Sequence, residues 1–150
     1  MKNDSNRYRL INVWATWCAP CVAEFPEFVS LSRRLGNRDF EFISLSMDDP
    51  KLEPQVKKFL EKQHASPPGR LKRILKGEGR TATNFLYTEA STDDLVKALD
   101  PAWPGPLPYT VLIAPGGKIV YRHNGAVDPA DLLAKVVAEL GPYYTPDYVK

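Results

Sequence analysis

The sequence has 150 residues, of which 43% are hydrophobic and 25% are charged. This balance predicts one soluble globular domain over residues 1–150 rather than a disordered chain. Its formal net charge of +2 argues against a dedicated nucleic-acid-binding protein, and its two cysteines are too few for a disulfide-rich scaffold or, alone, for a closed zinc site. No apolar run approaches the roughly 18 residues of a membrane-spanning helix. The polar N-terminus also lacks the pattern of a signal peptide.

Strand and helix patterns alternate through the first half of the chain. Short runs of β-branched and aromatic residues predict buried strands, whereas apolar residues at helical spacing predict helices. Asp49 followed by Pro50 is typical of a helix start, and Pro26 should bend the helix that contains it. The predicted elements are a strand at Arg9–Ala15, a helix from Cys18 to Leu35, a strand at Phe40–Met47 and a helix from Asp49 to about Gln63.

The second half of the chain is less regular until a terminal hairpin and helix. Its basic run at 70–79 predicts a short helix with a solvated face, and Asn84–Thr88 predicts a short edge strand. Residues 100–108 are rich in proline and predict a stiff loop. The remaining predictions are a helix at Asp93–Leu99 capped by Ser91 or Thr92, hairpin strands at Tyr109–Ala114 and Lys118–Asn124, and a helix from Asp128 to Leu140.

This order of elements predicts an α/β fold. A strand–helix–strand start requires a right-handed crossover that leaves its two strands parallel. The terminal hairpin adds an antiparallel pair. We therefore expect one mixed central sheet with helices on both faces.

The two cysteines form a Cys-x-x-Cys pair where the first strand meets the first helix. There, free backbone N–H groups and the positive end of the helix dipole stabilise a thiolate at Cys18. Cys21 lies one turn further along the same face, within reach for a disulfide. We expect Cys18 to be exposed and reactive beside Trp17, and Cys21 to be shielded and to resolve a mixed disulfide. Pro20 suits the first helical turn, and it stiffens the small ring that a disulfide between Cys18 and Cys21 would close.

Three other interpretations of the pair remain open at this point. It could be half of a zinc site, although no second cysteine pair exists and His64 and His123 lie at unrelated spacings. It could be an inert structural disulfide, although so small a ring constrains the unfolded chain little. It could also be two buried apolar thiols.

The segment Leu10–Pro26 closely resembles the active-site segment of the TlpA/ResA-like branch of the thioredoxin-fold superfamily. Every fixed position of Trp-Ala-Thr-Trp-Cys-x-Pro-Cys followed by x-x-Glu-x-Pro is present. A second segment, Gly105–Ile113, is similar to the cis-proline loop of that branch and leads into its hairpin. The resemblance covers most of Arg9–Ser46 and Trp103–Leu140 and is weak through Ala65–Pro101.

The resemblance implies a thioredoxin fold and a role for each matching residue. Cys18 would be the nucleophile and Cys21 the resolving thiol, and Glu24 would relay a proton to or from Cys21, unless it is a solvent-facing helix residue. Pro108 would be the cis proline facing the disulfide, and the backbone of Leu107 would hold an extended substrate. The substrate-contacting residues would be Trp17, Ala19, Pro20, Leu107 and Pro108, with neither metal nor cofactor. Asn12 stands where thioredoxins themselves carry a buried acid.

The implied function is thiol–disulfide exchange with protein cysteines, more in the direction of reduction, supported by an upstream redox partner. Membrane contact from this segment is not expected, and the branch suggests the bacterial periplasm. Departures from the branch suggest a truncated N-terminal flank and an αβ insertion at about 65–101, in which Asn84–Thr88 would replace a missing edge strand. The alternatives are a thioredoxin-fold peroxidase or a non-enzymatic binding module that uses the cis-proline groove or the basic segment near 70–80.

Overall fold

The computed structural model describes residues 3–89 and 91–141; the other residues of the predicted domain 1–150 lie outside the described residues. The described residues form five strands and five α-helices, and all the predicted elements are present with small shifts at their ends. They are β1 Tyr8–Trp14, α1 Ala19–Arg34, β2 Phe40–Ser46, α2 Glu53–Lys62, α3 Gly69–Gly77, β3 Asn84–Leu86, α4 Thr92–Leu99, β4 Tyr109–Ile113, β5 Ile119–Asn124 and α5 Pro129–Leu140.

The strands form one mixed sheet in the order β3-β2-β1-β4-β5. Strand β1 runs parallel to β2, as the strand–helix–strand start predicts, and β2 runs parallel to the short edge strand β3. The hairpin strands β4 and β5 are antiparallel, and β4 pairs antiparallel with β1. The α/β class and the mixed sheet are therefore confirmed, and β1, which carries the chain toward Cys18, lies at the centre of the sheet.

Side chains that alternate along β1 build two hydrophobic cores, one on each face of the sheet. On one face, Leu10 and Trp14 pack against residues of α1, α2 and α5, including the fully buried Phe25. On the other face, Ile11 and Val13 pack against a cluster that includes Leu95 and Leu99 of α4. Helices on both faces of the sheet are thus confirmed. Burial of each such large apolar side chain contributes about 1.5–3 kcal/mol.

Helix starts follow the predicted capping residues, with one difference before α2. The side chains of Ser91 and Asp128 accept hydrogen bonds from the first-turn N–H groups of α4 and α5. Asp49 likewise caps the next segment, but that segment begins as a 3-10 turn at Pro50–Leu52. Pro54 explains the difference, because it has no N–H to donate to the carbonyl of Pro50, four residues earlier. The N–H of Glu53 bonds to that carbonyl instead.

Helix α1 continues through Pro26 to Arg34, so the proline interrupts one hydrogen bond without ending the helix. The bend expected at Pro26 stays a prediction. Within residues 3–89 and 91–141, no helix combines the length and apolar character needed to cross a bilayer.

Candidate active site

The strand-to-helix junction places both cysteines at the start of α1. Cys18 is the N-cap residue, with extended backbone angles of φ −94° and ψ 104°, and its carbonyl accepts the first helical bond from Val22 N at 3.1 Å. Cys18 and Cys21 form a disulfide with Cα atoms 5.2 Å apart. The next N–H groups of α1 have no helical partner at this end, so the sulfur of Cys18 lies where a negative charge is favoured.

The two cysteines differ in accessibility, but less than expected. Cys21 is fully buried, and Cys18 is only 7% exposed, so the prediction of an exposed Cys18 is wrong for the disulfide form. In this form Cys18 is bonded to the fully buried Cys21. The accessible rim is made by Trp17, which is 67% exposed, and by the exposed Ala19 and Pro20.

The first tryptophan of the segment has a different role. Trp14 is fully buried, and its ring centroid lies 4.8 Å from that of Phe25 and 5.1 Å from that of Phe59. Trp14 is therefore part of the core beneath the disulfide, whereas Trp17 borders it.

Glu24, one turn after Cys21, is buried rather than solvent-facing, so the alternative of an exposed helix glutamate is wrong. Its carboxylate accepts a hydrogen bond from the backbone N–H of Val127 at 2.8 Å and a longer one from Asn12 at 3.4 Å. Burial raises the pKa of Glu24, while these two hydrogen bonds oppose the rise. The result is a buried carboxyl that holds its proton more readily than an exposed glutamate.

Asn12 connects this carboxyl to the strand that follows the proline loop. It is fully buried in β1, and its side-chain amide also donates to the hydroxyl of Thr110 in β4 at 3.1 Å. Asn12 and Thr110 lie opposite each other in the antiparallel β1–β4 pair. Sequence reasoning singled out Asn12 and Glu24 but missed Thr110 and the backbone of Val127, since both contacts join segments about a hundred positions apart in the chain.

The loop before β4 carries the predicted proline. The Leu107–Pro108 peptide bond is cis, as expected from the resemblance, and Pro108 is buried with its carbonyl accepting from Gly125 N at 2.9 Å. Leu107 is half-buried and packs against both cores. The prediction that Pro108 faces the disulfide stays a prediction.

A buried carboxylate that the sequence did not reveal anchors this loop. Asp100 accepts hydrogen bonds from the hydroxyl of Tyr109 at 2.6 Å and from Arg122 Nε at 2.8 Å. Although burial raises the pKa of Asp100, the bonds from Arg122 and Tyr109 hold it below the usual range. Burial and the bond to Asp100 together raise the pKa of Tyr109 to about 12. Trp103 stacks on Tyr109 with ring centroids 5.3 Å apart. Both ends of the loop are thus fixed to the hairpin.

A second buried carboxylate that was not predicted from the sequence is that of Asp48, just after β2. It is 1% exposed and accepts hydrogen bonds from Thr16, two residues before Cys18. The only sequence signal was its position after a strand that runs parallel to β1, because carboxyl ends of parallel strands share one edge of a sheet.

The zinc interpretation is not supported by the described part of the chain. Within it, no group of three or more His, Cys, Asp and Glu side chains is placed to hold a metal ion.

The sequence is similar to proteins that are named for thiol–disulfide exchange. The chain is 29% identical over 132 residues to the "Thiol:disulfide interchange protein DsbE homolog" of Paracoccus denitrificans, a match that covers 88% of this chain and 59% of that protein. It is 28% identical over 117 residues to "Thiol-disulfide oxidoreductase ResA" of Bacillus subtilis, covering 78% of this chain and 52% of that protein. The chain therefore spans between half and three fifths of the length of these relatives.

Solved structures share the fold at low sequence identity. A thiol:disulfide interchange protein of the thioredoxin family from Chlorobium tepidum has a TM-score of 0.66 and 22% identity, over 91% of this chain and 82% of that one. A secreted Mycobacterium tuberculosis disulfide oxidoreductase homologous to E. coli DsbE has a TM-score of 0.61 and 15% identity, over 90% and 84% of the two chains. The predicted thioredoxin fold is confirmed.

A family model described as Redoxin matches residues 4–138, a range that includes the whole sheet, the Cys18–Cys21 disulfide and the cis-proline loop. The chain belongs to the Redoxin family.

Proposed function

We propose that the protein is a thiol–disulfide oxidoreductase that exchanges the Cys18–Cys21 disulfide with cysteines of other proteins. The observation that carries this proposal is the disulfide at the N-terminus of α1, with Cys18 the more accessible sulfur and an exposed Trp17 beside it. This geometry favours a thiolate at the position that a substrate reaches first. The names of the sequence relatives support the same chemistry.

The exchange proceeds in two steps, through a mixed disulfide with the substrate. In the reducing direction, the Cys18 thiolate attacks one sulfur of a substrate disulfide, whose second sulfur leaves as a thiolate. A mixed disulfide then joins Cys18 to the substrate. Cys21 loses its proton and attacks the sulfur of Cys18, which releases the second substrate thiolate and forms the Cys18–Cys21 disulfide. Two electrons pass from the protein's dithiol to the substrate, and the reverse sequence oxidises a substrate dithiol.

We propose that Glu24 accepts the proton of Cys21 in the second step. The two residues are three positions apart on α1, so their side chains project from neighbouring points of one helix face. Glu24 is buried like Cys21, and its raised pKa brings it closer to that of a thiol, which favours proton exchange between them. The bonds from Val127 and Asn12 fix its orientation.

The substrate would be an extended protein segment that lies across the exposed rim. Trp17, Ala19 and Pro20 supply an accessible surface beside the disulfide. Leu107 and Pro108 would supply the opposite side, because backbone groups next to a rigid proline loop suit an extended chain. We place residues 1–150 in one thioredoxin-like domain, with residues 65–101 as its insertion.

The proposal extends to direction and location. Reduction of substrates is favoured, and an upstream protein would return electrons to the pair after each turnover. An extracytoplasmic location is supported by the description of two structural neighbours as secreted. Proteins with cysteines that need reduction or rearrangement are abundant in such compartments.

The test is the reduction of insulin with dithiothreitol as the electron source. We expect the wild-type protein to accelerate precipitation of the reduced insulin, Cys18→Ser to abolish the acceleration, and Cys21→Ser to hold a mixed disulfide through Cys18. Wild-type activity in Cys18→Ser would contradict the proposal. Rapid thiol-dependent consumption of peroxide without insulin reduction would indicate a peroxidase instead, and inactivity in both assays would indicate a binding module.

A further inference from the structure

The carboxylate of Asp48 is buried near the segment that precedes Cys18, and the described part of the chain gives it no counter-ion. Asp48 is 1% exposed, and within residues 3–89 and 91–141 its hydrogen bonds come from uncharged groups while none of the ion pairs includes it. A buried charge without a partner is costly unless hydrogen bonds replace the lost water. Asp48 meets this condition, because it accepts hydrogen bonds from Thr16 and Ser46.

The hydrogen bonds to Asp48 come from Thr16, two residues after the end of β1, and from Ser46 at the end of β2. Its two oxygens accept from the N–H of Thr16, at 3.0 Å and 3.2 Å, and also from the hydroxyl of Thr16. The hydroxyl of Ser46 donates to it at 2.6 Å and accepts from the Asp48 N–H at 3.1 Å. Ser46 is the last residue of β2 and pairs in register with Trp14, the last residue of β1. Asp48 therefore ties the carboxyl ends of β1 and β2 together.

The hydrogen bonds of Asp48 help to fix the three residues that separate β1 from Cys18. Met47 N donates to Trp14 O at 2.8 Å, and Cys18 N donates to Ala15 O at 3.2 Å. Between these two backbone bonds, Thr16 is held through both its N–H and its hydroxyl, and only by Asp48 among the hydrogen bonds found in the described residues. Loss of the carboxylate would leave the turn before Cys18 anchored at its ends alone.

We propose that Asp48 is a positioning residue for Cys18: by holding Thr16, it keeps the sulfur of Cys18 against the N-terminus of α1 when the disulfide is reduced. The helix terminus stabilises charge only within its first turn, so a small displacement of Cys18 weakens the effect. The inference rests on the proposed function, because a reactive thiolate matters only if Cys18 exchanges disulfides.

The experiment measures how fast iodoacetamide alkylates Cys18 across a range of pH, in the 150-residue chain carrying Cys21→Ser so that one thiol reacts. Thr16→Val removes the hydroxyl but leaves the carboxylate and its bond to Ser46. We expect it to raise the alkylation midpoint and slow the reaction at pH 7 by about twofold to fivefold. Thr16→Ser keeps the hydroxyl and should retain the wild-type profile.

Asp48→Ala separates positioning from charge, because it removes the negative charge and both oxygens that accept from Thr16. Removal of a negative charge near a thiolate would, alone, lower the midpoint and speed alkylation. Loss of the Thr16 contacts should do the opposite, so we expect slower alkylation. Asp49→Ala is the matched control, because Asp49 is exposed and caps only the following turn through Lys51 N at 2.9 Å.

Faster alkylation in Asp48→Ala, or an unchanged midpoint in Thr16→Val, would overturn the positioning role. If Asp48→Ala does not fold, as judged by circular dichroism, Thr16→Val decides the question. A loss of stability alone does not move the midpoint of a folded variant. Failure of the proposed function would show separately, as absence of insulin reduction by the wild-type protein, whatever the alkylation profiles are.

Discussion

Replacement of Glu24 by glutamine tests the proton path from Cys21. Glutamine keeps the shape of the side chain and can still accept the hydrogen bond from Val127 N, which is 2.8 Å from Glu24 in the structure. It cannot accept a proton. The first step, attack by Cys18, should therefore proceed at the wild-type rate, while resolution of the mixed disulfide by Cys21 should slow.

The size of the effect is bounded by ordinary thiol chemistry. A thiol with a pKa of about 8.5 is roughly 3% ionised at pH 7, so a base that takes the proton of such a thiol accelerates its attack by about thirtyfold. We expect Glu24→Gln to slow resolution by about tenfold to thirtyfold at pH 7. Since the thiol ionises without help at higher pH, the difference should disappear above about pH 9.

The assay uses the reduced protein and an aromatic disulfide whose two thionitrobenzoate groups are released in successive steps. Release of the first group reports attack by Cys18, and release of the second reports resolution by Cys21. Glu27→Gln is the matched control, because Glu27 is an exposed carboxylate one turn further along α1. Resolution rates within twofold of wild type at every pH in Glu24→Gln would refute the relay.

Two further predictions concern buried charges away from the disulfide. Glu41 is fully buried within 3.4 Å of the guanidinium groups of Arg7, Arg9 and Arg80. Glu41→Ala should therefore lower the free energy of unfolding, measured by urea denaturation, by about 3–5 kcal/mol. A loss below about 1 kcal/mol would contradict this prediction. Tyr109 has a pKa of about 12 in the folded protein, above the unfolded value of about 10, so the folded state binds more protons between these values. Stability should therefore fall as pH rises from about 10 to about 12, and urea midpoints should show a shallower fall in Tyr109→Phe.

Local patterns sufficed to predict the elements of the fold. Alternating apolar residues and polar capping residues act over a few positions, which is why the ends of α4 and α5 agree with expectation. The 3-10 turn before α2 was predictable in principle, because Pro54 stands four residues after Pro50. The cis bond at Pro108 followed from family resemblance and not from the residues themselves.

The environment of the site required the tertiary structure. Helical spacing places Glu24 near Cys21 but does not say that Val127, more than a hundred residues later, buries its carboxylate. The same holds for Asp48, whose partner Thr16 is 32 positions away. The low exposure of Cys18, which is bonded to a fully buried Cys21, is likewise a property of the tertiary structure that a one-dimensional pattern does not contain.

A glutathione redox titration of the Cys18–Cys21 pair tests the central claim most directly. Free thiols are alkylated at each glutathione ratio and the fraction of reduced protein is counted by mass spectrometry. The proposed reductase predicts one reversible two-electron transition near the thioredoxin value of about −270 mV. A disulfide that does not equilibrate with glutathione would contradict exchange itself, and a potential near −120 mV would contradict its proposed direction.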